Sequence, residues 1–104
     1  MYQYTTPTNR HIVKGLDLTG CDVWVSYEQG KVELDIKASD VTFDGTDTTL
    51  TIRFTQEQTA SFKVGNVKFQ VNWIYPDGTR DATSQKTTKM EPNLLNRVVE
   101  YGDD

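Results

Sequence analysis

Val67, Phe69, Val71, Trp73 and Tyr75 alternate with Lys68, Gln70, Asn72 and Ile74, and four other stretches of the chain keep the same period of two. Successive side chains on a strand point to opposite faces, so this pattern specifies sheets with one dry side and one wet side. Threonine, valine and aromatic residues are abundant, and these types suit a pleated, half-buried surface.

Residues 11–13 are expected to form a short first strand, ended by Gly15 and a turn around residues 17–20. In residues 22–29, Val23, Val25 and Tyr27 oppose Trp24, Ser26 and Glu28. Gly30 interrupts the pattern, and residues 31–37 resume it with Val32, Leu34 and Ile36 inward, which predicts a hairpin. Residues 41–43 are too short to stand alone, but Asp44-Gly45-Thr46-Asp47 is strong turn chemistry leading into residues 48–54, where Leu50, Ile52 and Phe54 face in. Thr55 and Gln58 have capping-box spacing, so residues 56–62 are predicted to make a short helical turn. Gly65-Asn66 opens the long strand to Tyr75, and Pro76-Asp77-Gly78 closes it in a turn. Residues 79–90, polar and β-prone, read as an edge strand whose lysines discourage further pairing.

Strands of this length and spacing, with no long helix between them, predict an all-β fold. The expected architecture is an antiparallel immunoglobulin-like β-sandwich of about seven strands with one short helical turn. The expected organisation is an N-terminal arm over residues 1–10, the sandwich over 11–91, and a C-terminal arm or short helix over 92–104. In that last segment Leu94, Leu95, Val98, Val99 and Tyr101 follow a three-to-four-residue period over one or two turns.

A chain of 104 residues is long enough to bury one hydrophobic core without staples. The lone Cys21 cannot close an intramolecular bridge, which suits folding in a reducing compartment. The net charge of −4 and the scattering of the cations give no footprint for nucleic acid. No apolar run approaches the roughly 20 residues that span a bilayer, so no membrane insertion is expected. The start, Met1-Tyr2-Gln3-Tyr4-Thr5-Thr6, lacks the basic and apolar regions of a signal peptide, so synthesis is expected in the cytoplasm.

Catalytic chemistry finds no support in the residue pattern. His11 has no cysteine or second histidine at metal-ligand spacing and reads as a surface or arm histidine. A Cys21/His11 pair would need an orienting Asn or Asp in a shared cleft, a context the sequence does not supply. The carboxylate pairs Asp35/Asp40 and Asp44/Asp47 fall in turns or on a wet strand face, where solvated charge explains them. No Gly-rich phosphate cradle is present. The expectation is a non-enzymatic chain with no catalytic residues, cofactor or metal.

Two features point to partners. Trp24 falls on the polar register of its strand, and an outward indole calls for cover by a loop or a neighbour. The arm bearing Tyr2 and Tyr4 and the tail bearing Leu94, Leu95, Val98, Val99 and Tyr101 are terminal segments, which fray unless tied to a surface. These eight residues are the candidate interface.

The ordered string Tyr4-Thr5-Thr6-Pro7-Thr8, Gly15-Leu16-Asp17-Leu18-Thr19, Val23-Trp24-Val25-Ser26-Tyr27-Glu28-Gln29, Phe54-Thr55-Gln56-Glu57-Gln58-Thr59 with Phe62, and Pro76-Asp77-Gly78 resembles a group of short proteins encoded in phages and prophages of Gram-positive gut bacteria. It is also similar to the amino-terminal β-sandwich of phage baseplate upper proteins. The resemblance implies a virion structural or assembly role in the tail or baseplate, reached after synthesis in the host cytoplasm. The implied partners are other virion proteins and further copies of the chain itself. The receptor-directed carboxy-terminal region of those larger proteins has no counterpart here. A carbohydrate-binding or adhesion module is the alternative, with Trp24 as its one candidate stacking residue.

Overall fold

A computed structural model describes residues 1–102. Its elements are β1 (Thr8–Lys14), β2 (Asp22–Gln29), β3 (Val32–Lys37), β4 (Asp40–Phe43), β5 (Asp47–Arg53), α1 (Gln56–Ala60), β6 (Gly65–Ile74), β7 (Arg80–Ala82) and β8 (Lys86–Met90). They form an all-β sandwich of two packed antiparallel sheets. One sheet has the order β1-β5-β4; the other runs β3-β2-β6, with β7 and β8 sharing the far side of β6. In the lettering of the immunoglobulin arrangement, β1, β4 and β5 stand at B, D and E, while β3, β2 and β6 stand at C′, C and F. β7 and β8 divide position G, and among the described residues no strand occupies position A.

The inward residues are those the alternation marked. Val23, Val25 and Tyr27 from β2, Leu50 and Ile52 from β5, and Val67, Val71 and Trp73 from β6 are buried, joined by Phe54 and Phe62 from the segments around α1. Register aligns them: Val25 faces Val71 and Tyr27 faces Phe69 across the β2·β6 pair. Tyr27 also meets Phe54 of the opposite layer edge-on, with ring centroids 4.9 Å apart, a favoured aromatic geometry. Leu18 lies fully buried in the β1–β2 connection, and the buried Thr48 hydroxyl holds it there by accepting from the Leu18 N–H and donating to the Leu16 carbonyl. Two polar backbone groups in the core are thereby satisfied. The Trp73 indole N–H has no hydrogen-bond partner among the described residues, an omission that costs about 1–3 kcal/mol.

Local chemistry sets the turns. β2 and β3 meet through Gly30-Lys31, with Gln29 paired to Val32, and Gly30 takes φ of 57° at the first central position, where a type II′ hairpin requires glycine. Thr55 and Gln58 form the expected capping box on α1.

Three expectations are corrected. β1 is longer than residues 11–13 and reaches into the expected arm, because Pro7 already accepts from the Phe54 N–H and fixes the chain beside β5. Residues 41–43 do belong to a strand, β4, since pairing with β5 supplies the ladder that so short a segment cannot supply itself. The last strand is split: the Thr83 N–H donates to the Val71 carbonyl and the Thr83 hydroxyl accepts from the Val71 N–H. The segment after Thr83 then leaves the ladder until Lys86. Among the described residues the strands therefore number eight.

Candidate functional site

The arm is built into the molecule. Tyr2 bridges Glu91 in parallel; the Glu91 N–H donates to the Met1 carbonyl at 2.7 Å and the Gln3 N–H to the Glu91 carbonyl at 3.0 Å. The N-terminal ammonium reaches the Lys89 carbonyl. Residues 1–3 thus cover the outer edge of β8 at its end. Thr5 then exchanges hydrogen bonds with the buried Thr59 of α1, accepting from its hydroxyl and donating to it. Between these anchors Tyr4 takes φ of 59°, the single positive value at a non-glycine among the described residues. That bend turns the chain from β8 toward α1. Tyr2 keeps 55% of its surface exposed.

The tail forms no helix among its described residues. It runs without regular structure back past the arm, where Asn93 donates to the Gln3 carbonyl. It then meets α1, where the Gln56 amide donates to the Val99 carbonyl and accepts from the Val99 N–H. Val99 is half-buried by this clasp. Leu94 and Tyr101 are fully exposed, and Leu95 and Val98 keep somewhat under half of their surface exposed. Asp103 and Asp104, the end of the expected segment, lie outside the described residues.

Arm and tail therefore converge near α1, while Trp24 stands apart. Trp24 is toward the other end of β2, on the outer face of the larger sheet, 37% exposed. No loop roofs it; the Lys37 ammonium lies 5.9 Å from its ring centroid, within cation–π range. It borders an open depression of about 440 Å³ shared with Asp35, Asn72, Ile74 and Arg80.

The two long sides of the sandwich differ. Along one, the chain crosses from β3 to β4 through Ala38 and Ser39, whose N–H groups bond to Val23 of one sheet and Thr51 of the other. That side is closed. Along the other, where β1 faces β7 and β8, the arm closes the end at Asn9, whose amide donates to the Met1 sulfur, and beyond it lie two neighbouring depressions of about 410 and 310 Å³ that share Ile12, Lys14, Thr83 and Lys86. Ile12 is 59% exposed there.

His11 belongs to this open side and not to a surface arm. It is an inward residue of β1, half-buried, with Nε2 2.8 Å from the Tyr27 hydroxyl and its ring 4.7 Å from that of Phe69. Alternation around Val13 could have placed it inward. Burial, and then the Lys86 charge, hold its pKa below the ordinary value of 6.5. Burial also pushes the Tyr27 phenol upward.

The remaining groups are poorly placed for catalysis. Burial, followed by Asp17 and Asp22, raises the Cys21 pKa, the reverse of what a nucleophilic thiol needs. The Asp44 carboxylate accepts the N–H groups of Thr46 and Asp47, which lowers its pKa and spends it on the turn. Asp35 accepts from Ser26. Among the described residues no three His, Cys, Asp or Glu side chains gather to hold a metal, and no helix is long and apolar enough to cross a membrane.

Comparison with protein-family models gives no match, and comparison with curated proteins gives none either.

Proposed function

We propose that this chain is a non-enzymatic structural or assembly protein of phage or prophage virions, a tail or baseplate component that works through protein–protein contacts. The observation that carries the docking role is the exposure of Leu94, Leu95, Val98 and Tyr101 on a segment tethered at only a few points to the sandwich. Apolar groups held out this way bury area when a second surface meets them. The virion assignment rests on the similarity of the Tyr4-to-Thr8, Val23-to-Gln29 and Phe54-to-Phe62 segments to phage and prophage proteins. Induction of a prophage carrying the gene, followed by mass spectrometry of density-purified particles, tests it. The chain is expected in the particle band at constant ratio to tail proteins; its confinement to the soluble fraction would refute the assignment.

A second reading has its own observation. Trp24 offers a ring beside hydrogen-bonding Asp35, Asn72 and Arg80, a combination suited to a sugar. Glycan-array binding that Trp24→Ala abolishes would favour carbohydrate recognition over assembly.

A further inference from the structure

Resting on the docking role, we infer that the free edge of β1 receives the tail of a second copy of this chain. Residues 94–101 of one molecule lie extended along Thr8–Lys14 of the next, in the place where the immunoglobulin arrangement has strand A.

The receiving side is incomplete in a defined way. β1 pairs with β5 on one side only, so its other edge presents unpaired main-chain groups to an incoming strand. Residues 1–7, which would precede it as strand A, are instead held against β8 and α1. The opening beside that edge is floored by Phe69, Val71 and Trp73 and rimmed by Ile12 and Leu16. On the closed side Ala38 and Ser39 bridge the two sheets instead.

Charge selects the occupant. Although the chain carries a net charge of −4, Arg10, Lys14 and Lys86 line the opening, with Asp81 as its one acidic lining residue among the described residues. Two such basic edges repel, which disfavours pairing of β1 with β1. The tail ends in Glu100-Tyr101-Gly102-Asp103-Asp104, three carboxylates against the single cation Arg97. It is also long enough to span β1. Extended, it carries Leu95, Arg97, Val99 and Tyr101 on one face, three apolar or aromatic groups with one cation whose long stem can lead its charge out to the rim, and Val98, Val99 and Tyr101 favour a strand. On docking, the Gln56 clasp on Val99 exchanges for ladder bonds with β1. The contact is head-to-tail, so it propagates from copy to copy.

Sedimentation velocity on two complementary variants tests this. A chain lacking residues 94–104 keeps the edge but has no tail; Ile12→Asp keeps the tail but repels it from the edge. Lys14→Glu, a change at an exposed residue, repeats the second arm should Ile12→Asp misfold by circular dichroism. The full chain is expected to form oligomers that grow with concentration and shrink in molar salt, where charge attraction is screened. Each variant alone is expected to stay monomeric, and their equimolar mixture to form a dimer and nothing larger. A full chain monomeric at millimolar concentration, variants that assemble as the parent does, or a mixture without dimer would each overturn the inference. A monomeric chain still found in particles would remove the self-partner and leave the virion role, whereas oligomers absent from particles would remove the virion role alone.

Discussion

Trp24 and Trp73 lie one register step apart on paired strands, Trp24 opposite Asn72 and Trp73 opposite Val23, and they face opposite ways. Trp73→Ala is expected to cost about 3–5 kcal/mol, as large-to-small core changes do. Trp24→Ala is expected to stay within about 1 kcal/mol, because its ring is already wet and surface substitutions have small effects. Urea unfolding of both variants checks the pair; equal losses would mean that β2 is turned over. His11 sets a pH dependence. Its folded pKa lies below 6.5, so the unfolded chain takes the proton first as pH falls. Stability is then level above about pH 6.5 and declines below it. The lowered carboxylates Asp17, Asp44 and Asp77 act in a separate window, losing their contribution as pH falls below about 4. Urea midpoints between pH 5 and 8 should fall on the acid side in the parent and flatten in His11→Gln; a parent without that slope would contradict the buried placement.

At the scale of elements, the sequence showed what local rules govern and missed what distant partners decide. Alternation located β2, β3, β5 and β6, and Thr55 with Gln58 announced the cap of α1, because those signals act within a few residues. Thr55→Ala should cost about 1 kcal/mol, read as a shift in the urea midpoint, since it removes the capping hydroxyl. The short β4 and the extended start of β1 draw their order from β5, which no local pattern reveals. The tail's three-to-four-residue period suggested a helix, yet a stretch this short is unstable as one, and the Gln56 clasp holds it open. The arm was expected to need a surface to tie it down, and Met1, Gln3 and Thr5 each bond to β8 or its end, or to α1. Deleting residues 1–7 should therefore lower the melting temperature by about 10–20 °C, as losing two or three net hydrogen bonds of about 1 kcal/mol each implies. Deleting residues 94–104 should shift it far less. Calorimetry on the two truncations decides; equal shifts would contradict the asymmetry.

For the whole molecule, the sandwich class was legible because a period of two leaves few alternatives to paired sheets. Among the candidate residues, Trp24 was found as an outward aromatic. Ile12, Arg10 and Lys14, outward on β1 by the same alternation, gained meaning only once topology placed them beside an empty strand position. The molecule is a sandwich with its arm closed onto β8 and its β1 edge left open. Native-state amide hydrogen exchange on the dilute chain tests this arrangement most directly. Strong protection is expected through β2, β5 and β6, extending to Gln3 and Glu91, while residues 94–98 exchange as solvent-exposed chain. Unprotected Gln3 and Glu91, or rapid exchange throughout β6, would contradict it.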